Sequence, residues 1–312
     1  MVEIGVLVAT RNRPQFLRKL LFSLTDSSNQ ISQVVIVASG EDVSSVVEEF
    51  SHRFEIEYYL LDKPGQIRQK QFGFSQFRSD IEWILNLDDD LLLDPKALVI
   101  AETIISSDSV GLIGGIGFAL PSQGKRPTNF FKNFLTRIFC LQGKPGKVLK
   151  SGHAVNYLDS DHQIRTDWLN GASLWKRNAV SHYEAEFLEA RYSAYEDVIF
   201  SYEAGQSSIL LFAPDCKLSF QEIQPNDIDS LLAFSSASYW RYYFVRKNRE
   251  LSLTLLIWSQ IGRSLDFLWR QRAFKRDFYV LSLQVLTILF DIAQTSMRKT
   301  DPLLFISSRL SR

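Results

Sequence analysis

The sequence predicts an α/β fold with a mainly parallel sheet, followed by a helical C-terminal region. In the first part of the chain, short apolar runs rich in β-branched residues alternate with segments of helical periodicity. This pattern is typical of strands and helices that alternate along the chain. After residue 224 the strand signals end, and aromatic, leucine-rich and basic segments continue to residue 312. We therefore predict an α/β domain over residues 1–224 and a helical region over residues 225–312.

The elements of the α/β domain follow from two periodicities. Apolar, β-branched runs predict strands at residues 4–9, 34–38, 56–61, 83–87, 110–118 and 209–213. After Pro14, the spacing of Leu17, Leu20, Leu21 and Leu24 gives one apolar helical face. Further helices are predicted at residues 66–77, 98–105 and 197–204. Residues 121–165 show weak periodicity, and we expect this long irregular stretch to shape a binding site.

Composition limits the partners and the compartment. The chain has 35 Lys and Arg against 35 Asp and Glu, so no net field attracts nucleic acid. Cys140 and Cys216 lie far apart, which argues against a disulfide framework or a zinc motif. The N-terminal apolar run lacks the basic segment and cleavage site of a signal peptide. These features predict a cytoplasmic protein with buried thiols.

The C-terminal region contains apolar runs at residues 251–258 and 278–290. Both are shorter than the roughly 20 residues that a membrane-spanning helix needs. Helices that carry Leu, Trp and Phe beside basic residues suit the surface of an anionic membrane. A helical appendix packed on the α/β domain explains the same composition equally well. Peripheral contact with the inner face of the plasma membrane is thus one of two expectations.

Polar side chains cluster where predicted strands end. Those after the first, second and fourth strands are Thr10, Arg11 and Asn12, then Ser39, then Asp88, Asp89 and Asp90. The carboxyl ends of parallel strands share one sheet edge, where ligands bind. Arg11 and Arg68 are predicted on that edge, and guanidinium groups suit a diphosphate. Arg13 is ranked below them, as a solvated surface arginine.

The acidic triplet predicts a metal site. Three adjacent carboxylates repel one another and favour a nearby cation. Because side chains alternate in an extended segment, Asp88 and Asp90 point the same way and Asp89 points elsewhere. Asp88 and Asp90 can therefore hold Mg²⁺ or Mn²⁺, with substrate phosphates filling further oxygen positions. The alternative is a solvated acidic turn.

Glu196 and Asp197 open a predicted helix after an aromatic segment at residues 192–195. A positioned carboxylate there can act as a general base toward a hydroxyl. Acidic residues are also favoured in a first helical turn by the helix dipole. The residues alone leave both interpretations open.

Taken together, these segments resemble the family 2 glycosyltransferases of bacterial type. That family consists of inverting enzymes with a glycosyltransferase-A fold that use nucleotide-diphosphate sugars. The resemblance covers roughly residues 3–220 and rests on residues 8–14, 65–73, 87–90, 168–172, 176–177 and 195–198. It makes residues 1–224 the predicted catalytic domain.

The resemblance implies roles for individual residues. Donor contacts are expected from Thr10, Arg11, Asn12, Ser39, Arg68, Asp88 and Gly171. Asp88 and Asp90 would hold the divalent metal and the diphosphate. Asp197, with Glu196 beside it, would deprotonate an acceptor hydroxyl in one inverting displacement. The acceptor stays open among a polysaccharide chain, a lipid-linked intermediate and a protein hydroxyl, and the interfacial character of the C-terminal region favours a glycan or lipid-linked glycan in polysaccharide or glycolipid synthesis.

Two segments depart from the family pattern. Residues 37–40 carry no aspartate where many members have one that reads uracil, so the donor base stays open. Residues 217–221 carry no histidine where related chains often complete the metal site, which predicts a water-rich metal shell or weaker metal dependence. The alternative function is a non-catalytic glycan-binding or membrane-scaffold protein on the same fold.

Overall fold

The computed structural model describes residues 2–121, 130–180, 194–221, 230–271, 278–298 and 301. The chain forms two compact units. The first comprises residues 1–124, 157–188 and 200–226, and the second comprises residues 125–156, 189–199 and 227–312. Each unit is discontinuous in sequence, whereas the predicted division between residues 224 and 225 is a single cut.

The first unit contains a nine-stranded sheet. Its strands are β1 (Ile4–Arg11), β2 (Ile31–Ser39), β3 (Ile56–Leu61), β4 (Trp83–Asp88), β5 (Leu91–Leu93), β6 (Ile113–Ala119), β7 (Ile164–Thr166), β8 (Ser173–Lys176) and β9 (Ile209–Phe220). The order is β3-β2-β1-β4-β8-β6-β9-β5, with β7 paired to β9. Neighbours among β3, β2, β1 and β4 are parallel, as are β6 and β9. The predicted mainly parallel sheet is confirmed, and the antiparallel strands β5, β7 and β8 are additions to it.

The described helices are α1 (Pro14–Leu24), α2 (Ser44–Phe50), α3 (Gln66–Phe74), α4 (Ala97–Ser107), α5 (Phe130–Ile138), α6 (Glu196–Ala204), α7 (Ser230–Lys247), α8 (Leu253–Gln271) and α9 (Phe278–Arg298). Short 3₁₀ helices lie at Thr25–Gln30 and Arg177–Ala179. The four leucines of the predicted α1 face are buried, because they pack into the main core with the strands. Helix α5 corrects the expectation that residues 121–165 are irregular throughout.

Helices α7, α8 and α9 make up the C-terminal part of the second unit, as the loss of strand signals predicts. The aromatic residues Tyr239, Trp240, Tyr242 and Tyr243 of α7 are buried, so they serve as core. Within the described ranges, no helix is both long and apolar enough to cross a membrane.

Candidate active site

Strand β4 ends at the acidic triplet, and the three aspartates differ in exposure. Asp89 is buried, and Thr10 Oγ1 on neighbouring β1 donates a hydrogen bond of 2.7 Å to its Oδ2. The side chains of Asp88 and Asp90 are 35% and 43% exposed. Asp89 thus points inward while Asp88 and Asp90 face the outside, as alternation along an extended segment predicts.

Asp88 is held by two side chains from α3. Lys70 Nζ lies 3.1 Å from Asp88 Oδ1, and Gln66 Nε2 donates to the same oxygen at 2.8 Å. Lys70 and Gln66 are four residues apart, so they lie on one face of the helix. The Lys70 side chain is only 2% exposed. Sequence reasoning missed both residues, since their role depends on where α3 meets β4.

The electrostatics of the triplet are uneven. Burial alone would raise the pKa of Asp88, but Lys70 and Gln66 outweigh it and hold the pKa below its usual range. Burial raises the pKa of Asp89 against the hydrogen bond from Thr10. Burial also raises the pKa of Asp90, and the charge on Asp88 raises it further. A cation between Asp88 and Asp90 would relieve that repulsion.

The residues at this edge fit a divalent cation that keeps much of its water. Asp88 and Asp90 supply two outward-facing carboxylates, and Mg²⁺ or Mn²⁺ combines one or two carboxylates with phosphate oxygens and waters. In the ranges that the structure describes, no group of three His, Cys, Asp or Glu residues could hold a metal ion.

Gly171 lies against the acidic edge. Asn86 Nδ2 of β4 donates to the Gly171 carbonyl at 2.5 Å. A Cβ atom at position 171 would stand 3.8 Å from both Asp88 Oδ2 and Lys70 Nζ. The structure thus brings Gly171 close to Asp88 and Lys70, and its contact with a donor stays a prediction.

Asn12 and Ser39 shape the loops that follow β1 and β2. Asn12 has a φ of 54°, and its Oδ1 accepts a hydrogen bond of 2.8 Å from the Glu41 amide. Ser39 is buried, and its Oγ lies 3.4 Å from Gln69 Oε1. Gln69 Nε2 also donates to the Thr10 carbonyl at 2.7 Å. Gln69, which sequence reasoning missed, therefore links α3 to the ends of β1 and β2.

The arginine that reaches the triplet is Arg13. Its Nη1 lies 3.2 Å from Asp89 Oδ1 and 3.6 Å from Asp90 Oδ2. Arg11 is exposed at the end of β1, and Arg68 is half-buried in α3. The sequence-based expectation that Arg13 is a solvated surface arginine was wrong. The turn after β1 brings its side chain next to the end of β4.

Gln221 supports the triplet from the end of β9. Its backbone amide donates to the Asp90 carbonyl at 2.9 Å, and its Nε2 donates to the carbonyls of Asp89 at 3.0 Å and Phe16 at 2.9 Å. This buried glutamine stands in the segment where the family resemblance leads one to expect a histidine. Gln221 therefore fixes the turn at Asp89 and Asp90 by donating hydrogen bonds to their backbone carbonyl groups.

Glu196 and Asp197 are described with the second unit, at the start of α6. Tyr195, just before them, has a φ of 83°, a conformation that costs energy for a residue other than glycine. Its hydroxyl donates to the Gly152 carbonyl and accepts a hydrogen bond of 3.1 Å from the Ala154 amide. The loop at residues 152–154 thus fixes the residue from which the predicted base extends.

Comparison with known proteins gives one family and several related folds. Residues 5–139 match the sequence model described as Glycosyl transferase family 2. The crystal structure of S. aureus TarS 1–349 aligns with a TM-score of 0.57 and 13% identity, over 99% of this chain and 88% of that one. The mannosyltransferase PcManGT of Pyrobaculum calidifontis, in complex with GDP-Man and Mn²⁺, aligns with a TM-score of 0.55 and 11% identity, over 95% and 87%.

TarS 1–349 in complex with UDP-GlcNAc also aligns, with a TM-score of 0.50 and 13% identity, over 96% of this chain and 93% of that one. A search of curated proteins found no match. The fold resembles that of these glycosyltransferases, and residues 5–139 resemble the glycosyl transferase family 2 in sequence. The match to the glycosyl transferase family 2 model covers residues 5–139, a segment that includes β2 to β6, nearly all of β1 and the acidic triplet.

Proposed function

We propose that the protein transfers a sugar from a nucleotide-diphosphate sugar to an acceptor hydroxyl with inversion at the anomeric carbon. The observation that carries the proposal is the split acidic triplet, with Asp89 anchored inward and Asp88 and Asp90 facing out. The nucleotide sugars bound in the related structures, UDP-GlcNAc and GDP-Man, support this donor class.

The donor end of the mechanism belongs to the first unit. Asp88 and Asp90 would hold Mg²⁺ or Mn²⁺, which supplies positive charge to the departing diphosphate when bound. Lys70, ion-paired with Asp88, adds a fixed charge where the leaving group becomes more negative. Arg11 and Arg68 are proposed to contact the diphosphate, and Asn12 and Ser39 to line the nucleotide loops.

The acceptor end is proposed for Asp197. A carboxylate at the start of α6 would take the proton from the attacking hydroxyl, with Glu196 beside it as a second carboxylate. The anchored Tyr195 supports this role, because a base must keep a fixed position to be effective. A single displacement by that hydroxyl inverts the configuration of the sugar.

The donor site is tested by thermal unfolding with a panel of nucleotide diphosphates, with and without Mn²⁺. Ligand binding to the native state raises the unfolding temperature by mass action. We expect a metal-dependent rise for one nucleotide, lost in Asp90→Ala and kept in Asp215→Ala, an exposed aspartate on β9. No rise with any nucleotide would contradict the proposal and favour the non-catalytic alternative.

Asp197 is tested separately from the donor site. In Asp197→Asn we expect transfer to fall by at least about 10²-fold, as when a general base is lost, while the nucleotide-dependent rise in unfolding temperature stays. A variant that retains full transfer would remove Asp197 from the mechanism. Asp215→Asn, at the exposed aspartate of β9, serves as the control and should retain the activity.

We also propose that the acceptor is a glycan or lipid-linked glycan met at the inner surface of the plasma membrane. Large apolar side chains are exposed on α8 and α9: Trp258, Leu265, Trp269, Leu283, Leu286 and Phe290. On each helix they recur at spacings of three, four or seven residues, so each helix carries an exposed apolar face. Such faces suit an interfacial position on lipid.

Vesicle co-sedimentation tests the membrane contact. We expect the wild-type protein to sediment with phosphatidylglycerol vesicles. A double variant that combines Trp258→Glu and Trp269→Glu should lose that binding. Val110→Glu changes an even more exposed apolar residue of the first unit and should bind as the wild type does. Equal sedimentation of all three proteins would refute α8 as the contact surface.

A further inference from the structure

Arg241 of α7 is completely buried in the second unit. Its Nη2 donates to the Ser151 carbonyl at 2.8 Å and to Ser259 Oγ. Its Nε and Nη1 are buried without a hydrogen-bond partner in the described part of the chain. Two nitrogen atoms of the Arg241 guanidinium group are therefore shielded from water and donate no hydrogen bond to the described residues.

Arg263 of α8 brings a second guanidinium to the same place. Its Nη1 is likewise buried without a partner among the described residues. Burial lowers the pKa of Arg241 to about 9, and the charge on Arg263 contributes to that shift. The pKa of Arg263 is lowered as well, chiefly by burial. The nearest acid along α8 is Asp266, which forms an ion pair of 2.5 Å with Arg270.

Among the described groups around the two arginines, the acid that raises the pKa of Arg263 is Asp266, and Asp266 is already ion-paired with Arg270. Burial, with the charges of Arg241 and Arg263, lowers the pKa of His153 to about 3, so this side chain is neutral near pH 7. Burial raises the pKa of Tyr195, which keeps its hydroxyl neutral, and Asp197 also contributes to that rise. Within the described ranges, neither Arg241 nor Arg263 forms an ion pair. The cluster therefore holds two positive charges.

A buried guanidinium with unmet donors is costly, because its hydration is lost and nothing replaces it. An anion with several acceptor oxygens would satisfy the unused N–H groups of both arginines at once. Planar guanidinium groups match the oxygens of a phosphoryl group particularly well. Arg263 is only partly buried, whereas Arg241 is completely buried, so Arg263 lies nearer the protein surface.

We propose that Arg241 and Arg263 form a binding site for a phosphoryl group in the second unit. The ligand is either inorganic phosphate or a phosphate carried by a larger molecule such as a lipid phosphate. Tyr195 connects this site to Asp197 along the chain, so occupancy would neutralise the charges behind the start of α6. The site requires neither the nucleotide nor the divalent metal.

Thermal unfolding tests the site with inorganic phosphate and with farnesyl phosphate, each against sodium chloride of equal ionic strength. We expect a rise of a few degrees with at least one phosphate compound. A rise with farnesyl phosphate at concentrations where inorganic phosphate has no effect identifies a carried phosphate as the ligand. Equal potency identifies the free ion. No rise above that in sodium chloride overturns the proposal.

Variants on α8 separate a binding role from a structural one. Arg263→Met should abolish the phosphate effect and leave the unliganded protein as stable as the wild type or more so, because a buried charge is removed. Arg270→Met, two turns further along the same helix and half exposed, should keep the phosphate effect. If Arg263→Met retains the full phosphate effect, the assignment is wrong.

Asp90→Ala keeps this test independent of the proposed transfer reaction. It should lose the nucleotide effect and retain the phosphate effect. Loss of the nucleotide effect and loss of the phosphate effect would thus be seen as two separate results of the same unfolding measurements.

Discussion

At the residue scale, the hydrogen bond from Thr10 to Asp89 determines how the triplet is presented. Without it, Oδ2 of the buried Asp89 would lose its hydroxyl partner, and the carboxylate would keep Arg13 as its side-chain contact on Oδ1. Sequence reasoning gave Thr10 a donor contact, and the structure gives its hydroxyl a structural task. The contact with a nucleotide stays a prediction.

Thr10→Val should therefore destabilise the protein by about 1–3 kcal/mol, the usual cost of leaving a buried polar group without its partner. Urea unfolding monitored by circular dichroism measures this as a lower midpoint with an unchanged slope. Thr10→Ser keeps the hydroxyl and should stay close to the wild type. Equal midpoints for Thr10→Val and the wild type would show that the hydrogen bond contributes nothing.

His153 gives the second unit a defined acid sensitivity. Its folded pKa of about 3 lies below the ordinary value of 6.5, so the unfolded chain binds a proton first as the pH falls. The stability due to neutral His153 is complete above pH 6.5 and decreases toward pH 3, by up to about 1.4 kcal/mol per pH unit.

His153→Gln should remove this part of the pH dependence. Urea unfolding at several pH values between about 7 and 4 measures it as the difference between wild type and variant. Carboxylates titrate in both proteins, so their contribution cancels in that difference. A difference that does not change with pH would mean that His153 is already exposed to solvent protons in the folded state.

At the scale of elements, helix α3 organises the edge of the sheet that carries the acidic triplet. It supplies Gln66 and Lys70 to Asp88 and Gln69 to the loops after β1 and β2. The helix reaches the sheet closely because residue 73 is glycine. A Cβ atom there would lie 2.2 Å from Leu7 Cδ1.

Gly73→Ala should therefore cost about 1–3 kcal/mol through overpacking, although alanine is otherwise favoured over glycine in a helix by about 1 kcal/mol. The displaced helix should also weaken the metal-dependent nucleotide effect. Combining it with Leu7→Val removes the clashing methyl group, so the double variant should lose less than the sum of the two single variants. Strict additivity would contradict the packing argument.

The local parts of this architecture could be predicted from sequence, and the non-local parts could not. Buried strands that end in Asp88 or in Thr10 are visible as apolar runs followed by polar residues. Lys70 and Gln221 carry no such signal, because each acquires its role from a contact with a distant strand. Helix α5 was missed since its surroundings are rich in Gly, Pro and Lys.

At the scale of the whole molecule, contacts within the protein hold the sheet edge that carries the acidic triplet. Lys70 and Thr10 already balance Asp88 and Asp89 without a metal ion. Removal of divalent metal with EDTA should therefore abolish transfer and leave the unfolding temperature within about 1–2 °C of its original value. Added Mn²⁺ should restore transfer. Loss of secondary structure in EDTA, measured by circular dichroism, would mean that the fold depends on the metal.

The position of β8 in the sheet has a consequence for how the chain is made. Strand β8 joins β4 to β6, although its residues 173–176 follow both of those strands in sequence. On the ribosome, β1 to β4 can pair early, while the edge of β4 stays open until β8 has emerged. Open strand edges invite pairing with other chains. Synthesis of this protein should thus pass through an aggregation-prone intermediate, a partial sheet with an unpaired strand edge that a chaperone can protect.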